Sequence, residues 1–222
     1  DHVVVRGDLD LSRERLQKNI TSPIRINDSR FGGLVSFNGS TLEMPVDISG
    51  SGFTKESYFR GATFQRSTDF GMGHFPSVRR RALAPPISWR QSTTFSGNAD
   101  FEDVNFSGVA LFWGATFSRD ANFNRVNFSK DVNFAGATFS RYTNFEDAAF
   151  SKDVNYAGTT FSKDAQFNGA TFGGNARLDW AAFSGDADFS GATFSKDAYC
   201  SRATFYGSAI FRWATFGRFA EF

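Results

Sequence analysis

The sequence predicts an all-β, four-sided parallel β-helix with about 22 residues per coil. Three observations carry this. Of the 222 residues, 29 are phenylalanine against four tryptophans and five tyrosines, whereas ordinary cores draw mainly on Leu, Ile and Val. From Phe95 an apolar residue recurs in alternating steps of six and five, at 95, 101, 106, 112, 117, 123, 128, 134, 139 and 145, and the series runs on through Tyr156, Leu178 and Cys200 to Phe222. Two residues before each of these positions stands Ala, Val or Thr, as in Ala115, Ala121, Val126, Val132 and Ala137.

Residues i and i−2 of a strand share a face. The large and small columns therefore both point inward, and the stack Phe117, Phe123, Phe128, Phe134, Phe139 and Phe145 is read as core. The residue between them points out, and there the sequence places Thr116, Thr138 and Thr160 or Asn122, Asn133, Asn144 and Asn155. A helix needs apolar residues three and four apart, and a flat strand needs every second one; neither period is present. Two sides per coil would leave too thin a lumen for stacked rings, whereas four sides place four rings in each layer.

Taken in order, residues 1–19 are not repetitive: DHVVVRGDLDLS reads as extended chain and RERLQK as a helical turn, together a cap or docking segment. The solenoid is assigned to residues 20–222. Its first part follows the alternating steps through Ile20, Ile26, Phe31 and Phe37 to Phe75. The period then fails, and Pro85, Pro86 and the run Arg79, Arg80, Arg81 mark a solvated surface insertion at about 76–88, with Trp89 returning to the core. Corners fall after each large residue, where glycines such as Gly108, Gly114, Gly136 and Gly158 supply turn geometry. The longer corners have the form Ser118-Arg119-Asp120, and each Asp there reads as neutralised by its basic neighbour.

The chain offers little chemistry. His2 and His74 are its only histidines, which excludes a histidine-based triad or a multi-histidine metal site, and no cofactor is implied. Cys200 lies in the large inward column and reads as a buried, inert thiol. A formal charge of +1 disfavours nucleic acid as a partner. No apolar run is long enough to span a bilayer. Single threonines share their columns with Asn127 and Ala149, which speaks against an ice-matching face.

Two surfaces stand out. On a coil of about 22 residues, Leu111, Trp113, Trp180 and Tyr199 fall on one side and read as a lateral contact surface. The last positions, Phe216, Phe219 and Phe222, read as an open end that stacks on Val3, Val4 and Val5 of another copy. Sequons at Asn19, Asn27 and Asn38 point to attached glycans and a surface location.

The segments GATFSRDANF, AGATFSRYTNF and GATFSKDAYC resemble pentapeptide-repeat proteins in their phenylalanine-centred variety. That resemblance covers most of the chain from Ile20 and implies a right-handed, four-sided β-helix without catalysis. The extra residue in every second side departs from the family pattern. Some members mimic duplex DNA and bind a topoisomerase through a strongly acidic surface, an alternative that the charge of +1 opposes. Phenylalanine-rich members are often exported. The expected function is a structural solenoid that self-associates head to tail into an extracellular fibre or surface-layer element. The runner-up is a monomeric protein-binding module.

Overall fold

The computed structural model describes residues 4–16, 19–26, 29–49, 51–55, 57–60, 62–66, 68–71 and 93–221. The chain coils through four parallel sheets built almost wholly of two-residue strands. Side one starts with β1 (Val4–Val5), side two with β2 (Leu9–Asp10) and side four with β3 (Ile24–Arg25). Side three starts with a single parallel bridge from Ile20 to Leu42. Among the described residues, three sides hold nine strands each and side three holds eight. At roughly 4.8 Å per strand the stack is about 40 Å long.

Consecutive coils superpose residue on residue. Thr116 pairs with Thr138 and Phe117 with Phe139, both 22 positions apart, and this register persists to Phe205. The irregular N-terminal segment joins the same scheme, because β1 pairs with Arg30–Phe31 and β2 with Val35–Ser36. It thus builds two sides of the first coil. The helical turn α1 (Arg13–Leu16) lies between sides two and three of that coil. Val3 lies outside the described residues. Beyond Gly71 the next described pairing is that of Thr94–Phe95 on side one. The expected insertion at 76–88 and Trp89 fall in the gap, outside the described residues.

The core is a column of aromatic layers. Phe117, Phe123, Phe128, Phe134, Phe139 and Phe145 are all fully buried. Between coils the rings stack, as for Phe117 on Phe139 at 4.7 Å and 6°. Within a layer they meet edge to face, as for Phe123 and Phe134 at 5.5 Å and 86°. Both geometries satisfy the ring quadrupole. Alanine or valine fills the small column beside them, and threonine there is buried only with its hydroxyl paired: Thr159 Oγ1 donates to the Phe134 carbonyl at 2.8 Å.

The two corner types have different causes. Five-residue steps close with a hydrogen bond from the third residue after the ring, for example Ala137 N–H to the Phe134 carbonyl at 2.9 Å. Gly136 between them has φ +64, the sign of a type II turn. The outward Asn or Asp before such a corner accepts from the amide two residues on, as Asn144 Oδ1 does from Glu146 at 2.8 Å. This explains why asparagine collects on sides two and four. At six-residue corners the Asp side chain reaches along the stack. Asp164 Oδ1 accepts the Asp186 N–H at 3.0 Å, and Asp153 Oδ1 accepts the Asn175 N–H at 2.8 Å. That corrects the expected neutralisation by neighbouring cations: these carboxylates hold the next coil's backbone, and among the described residues Lys130, Lys152 and Lys163 form no ion pair with the adjoining Asp.

Candidate functional site

In the middle coils every inward residue is sealed and most outward residues are polar or small, with Leu111, Tyr142, Trp180 and Tyr199 as larger exceptions. The last coil, with strands Thr204–Phe205, Ala209–Ile210, Thr215–Phe216 and Ala220–Glu221, breaks both rules. Each of these strands pairs only with the coil below it. Ala209 is exposed although Ala121, Ala165 and Ala187 in its column are fully buried, and Phe205, Phe211 and Phe216 are only half-buried.

Its outward positions change character as well. Tyr206 stands where the five coils below carry Ser96, Ser118, Ser140, Ser162 and Ser184. Ile210 replaces Asp188, Gln166 and Asn144. Trp213 takes the left-handed turn position, at φ +56, that Gly191 and Gly169 hold below it. Phe219 stands over Asp197 at the corner before side four. Tyr206, Trp213 and Phe219 are 75%, 85% and 58% exposed, so an apolar collar surrounds the half-open core. Of these, only Phe219 was assigned from the sequence to the end of the stack. Tyr206 and Trp213 become conspicuous once each is compared with its own column.

The opposite end is apolar too. Leu11, Ile20, Ile24 and Ile26 are partly buried, and the first three line a depression of about 330 Å³ beside α1, together with Leu16, Pro23 and the polar Asn19, Thr21 and Ser22. The side chains of Val4 and Val5 and the residue Phe222 lie outside what is described.

The four residues read as a lateral surface do share one flank, yet they do not form a continuous apolar strip. Leu111 and Tyr199 lie in one outward column with Asn133, Asn155 and Arg177 between them. Trp113 packs over Gly71, where an added Cβ would fall 2.5 Å from its ring. Trp180 is 60% exposed but carries the Arg202 guanidinium 4.5 Å above its ring centroid. Tyr199 donates its hydroxyl hydrogen bond to Asp197 at 3.2 Å. Between Leu111 and Tyr199 run two shallow depressions, of about 340 and 370 Å³, which share Asp153 and Arg177.

Other candidate groups are quiet. Cys200 is buried, and desolvation first, then the charges of Asp179 and Glu221, push its thiol up to about 12. Asn19 is exposed and donates to Glu43 Oε1 at 2.8 Å, while Asn38 Oδ1 accepts the Arg60 N–H at 3.0 Å. Asn27 lies outside the described residues. No helix among them is long and apolar enough to cross a membrane.

Residues 112–155 and 156–204 match the family described as pentapeptide repeats (9 copies). No curated protein matches. Among solved structures, the trypsin-treated form of QnrB1, described as a plasmid-mediated fluoroquinolone resistance protein, is similar over 96% of this chain and 88% of its own, at 17% identity and a TM-score of 0.27. Residues 112–204 are a run of pentapeptide repeats, and the same strand register continues into the coils on both sides of them.

Proposed function

We propose that this chain is a non-enzymatic structural solenoid whose last coil takes the first coil of another copy, so that molecules join head to tail into an extracellular fibre or surface-layer element. The last coil carries this reading. It presents open strand edges above half-buried aromatic rings, and such an edge recruits a further strand unless something covers it. Identical units joined by unlike ends propagate as a filament when the rotation does not close. The exposed sequon residue Asn19 supports a place outside the cell.

The test separates the edge from the core. The Ala187 N–H donates to the Ser208 carbonyl in the coil above, at 2.8 Å, and Ala209 occupies the same register one coil higher. Ala209→Pro therefore removes an amide that faces the open end while leaving the pairing below in place. Sedimentation velocity should show species of the native chain that grow with concentration, and a large loss of them in Ala209→Pro. A native chain that stays monomeric at high concentration, with the amides of 203–221 protected from exchange, overturns the proposal.

A further inference from the structure

Resting on that reading, we propose that the joint is keyed in register: each side of the last coil seats on its own counterpart in the next copy, with Trp213 and Phe219 closing over the depression beside α1. The two ends carry independent marks of this. Every residue lining the depression, from Leu11 to Ile24, belongs to the first coil. It therefore belongs wholly to the coil that the joint would cover. At the other end, exposed aromatics occupy the corners between sides two and three (Trp213) and between sides three and four (Phe219). Those are the corners the depression spans. In register, Phe216 lies over Ile20 and Phe219 over Pro23, with Trp213 against the rim that α1 builds.

Backbone and charge agree with the same alignment. On sides two and four the N–H groups point up the stack, as in Phe189 to the Ile210 carbonyl and Ala198 to the Phe219 carbonyl. One coil further, Phe211 and Ala220 would meet the carbonyls of Asp10 and Pro23. These carbonyls face downward, because Leu9, Leu11 and Ile24 in the first coil send their own N–H groups up to Leu34, Ser36 and Pro45. On side four the outward column ends in Glu221 and begins with Arg25, so opposite charges become neighbours across the joint. A rotation by one or two sides loses this pair and moves both aromatics off the depression. The predicted filament is accordingly a continued solenoid with its four faces aligned.

Paired cysteines test the register. Residues stacked in adjacent parallel strands are about 4.8 Å apart, within disulfide reach, and the single native cysteine, Cys200, is buried. The variant Ile210→Cys/Asp10→Cys should give a ladder of covalent oligomers under mild oxidation, and Ile210→Cys/Arg25→Cys should not. Assemblies that form while only the second variant cross-links, or neither does, overturn the register and leave self-association standing. Absence of assembly in the native chain overturns both. The second arm is Trp213→Gly, which relieves a left-handed φ and removes the ring. The concentration needed for assembly should rise about tenfold with no loss in the monomer's melting temperature. Unchanged assembly would show that Trp213 takes no part in the joint.

Discussion

Phe139 and Phe205 occupy one inward column on side one, three coils apart, and their surroundings differ. Phe139 is fully buried between Phe117 at 4.7 Å and Phe161 at 5.0 Å. Phe205 is half-buried and stacks on Phe183 at 4.8 Å from one side only. The residue, the strand and the rotation within the coil are the same. What differs is the number of neighbouring coils, and in a solenoid stability resides in those interfaces. The middle of the rod is therefore a closed core, and the last described coil has a neighbouring coil on one side.

The largest test of this contrast is a charge in each place. Phe139→Asp buries a carboxylate and empties a ring position, and should cost on the order of 5 kcal/mol or prevent folding. Phe205→Asp can hydrate its carboxylate at the open end and should cost less than half as much. Urea unfolding of the two variants measures this directly, and equal losses would mean that the last coil is as sealed as the middle.

A gain of smaller size is expected inside the closed core. Tyr156 is fully buried, stacks on Phe134 at 5.0 Å and leaves its hydroxyl without a hydrogen-bond partner. Tyr156→Phe should stabilise the chain by about 1 kcal/mol. Burial also holds the Tyr156 phenol well above its ordinary 10.0. The folded value exceeds the unfolded one, so this group's contribution is complete below pH 10 and declines as the pH rises beyond it. The Phe variant should lose part of that alkaline decline. If its alkaline profile matches the native one, the hydroxyl is solvated.

Outward positions should not distinguish the two regions. Asn144→Asp keeps the acceptor for the Glu146 amide, and Ile210→Asp restores the polar type found lower in its column. Both should stay within about 0.5 kcal/mol of the native chain in thermal melts. A clear loss at Asn144 would show that its face packs against something, and a clear loss at Ile210 that the collar is part of the monomer's core.

Much of this was legible in the letters. The spacing of Phe117, Phe123, Phe128 and Phe134 implied four sides and told inside from outside, because neighbours on a strand alternate faces whatever the coil's shape. The role of Asp164 was misread. Its partner is the amide of Asp186, 22 residues away, while Lys163 beside it offers the obvious but unused charge. The Leu111 to Tyr199 line failed to become a strip for a similar reason: circumferential position could be counted, but the residues between them along the stack decide whether two side chains form one surface. The depression beside α1 was not foreseen, since residues 1–19 lie outside the repeat and only the fold brings Leu11 and Leu16 beside Ile20 and Ile24.

The sequence by itself determined the period, the inward columns and the type of each corner, because these depend on residues within a few positions of one another and recur many times. Only the tertiary structure decided which side chains bridge successive coils, that residues 4–26 close into a coil of their own, and that the aromatics at 203–221 stand half-open. Those properties depend on what lies one coil above or below. A local pattern repeats identically from coil to coil, whereas burial counts the neighbours actually present.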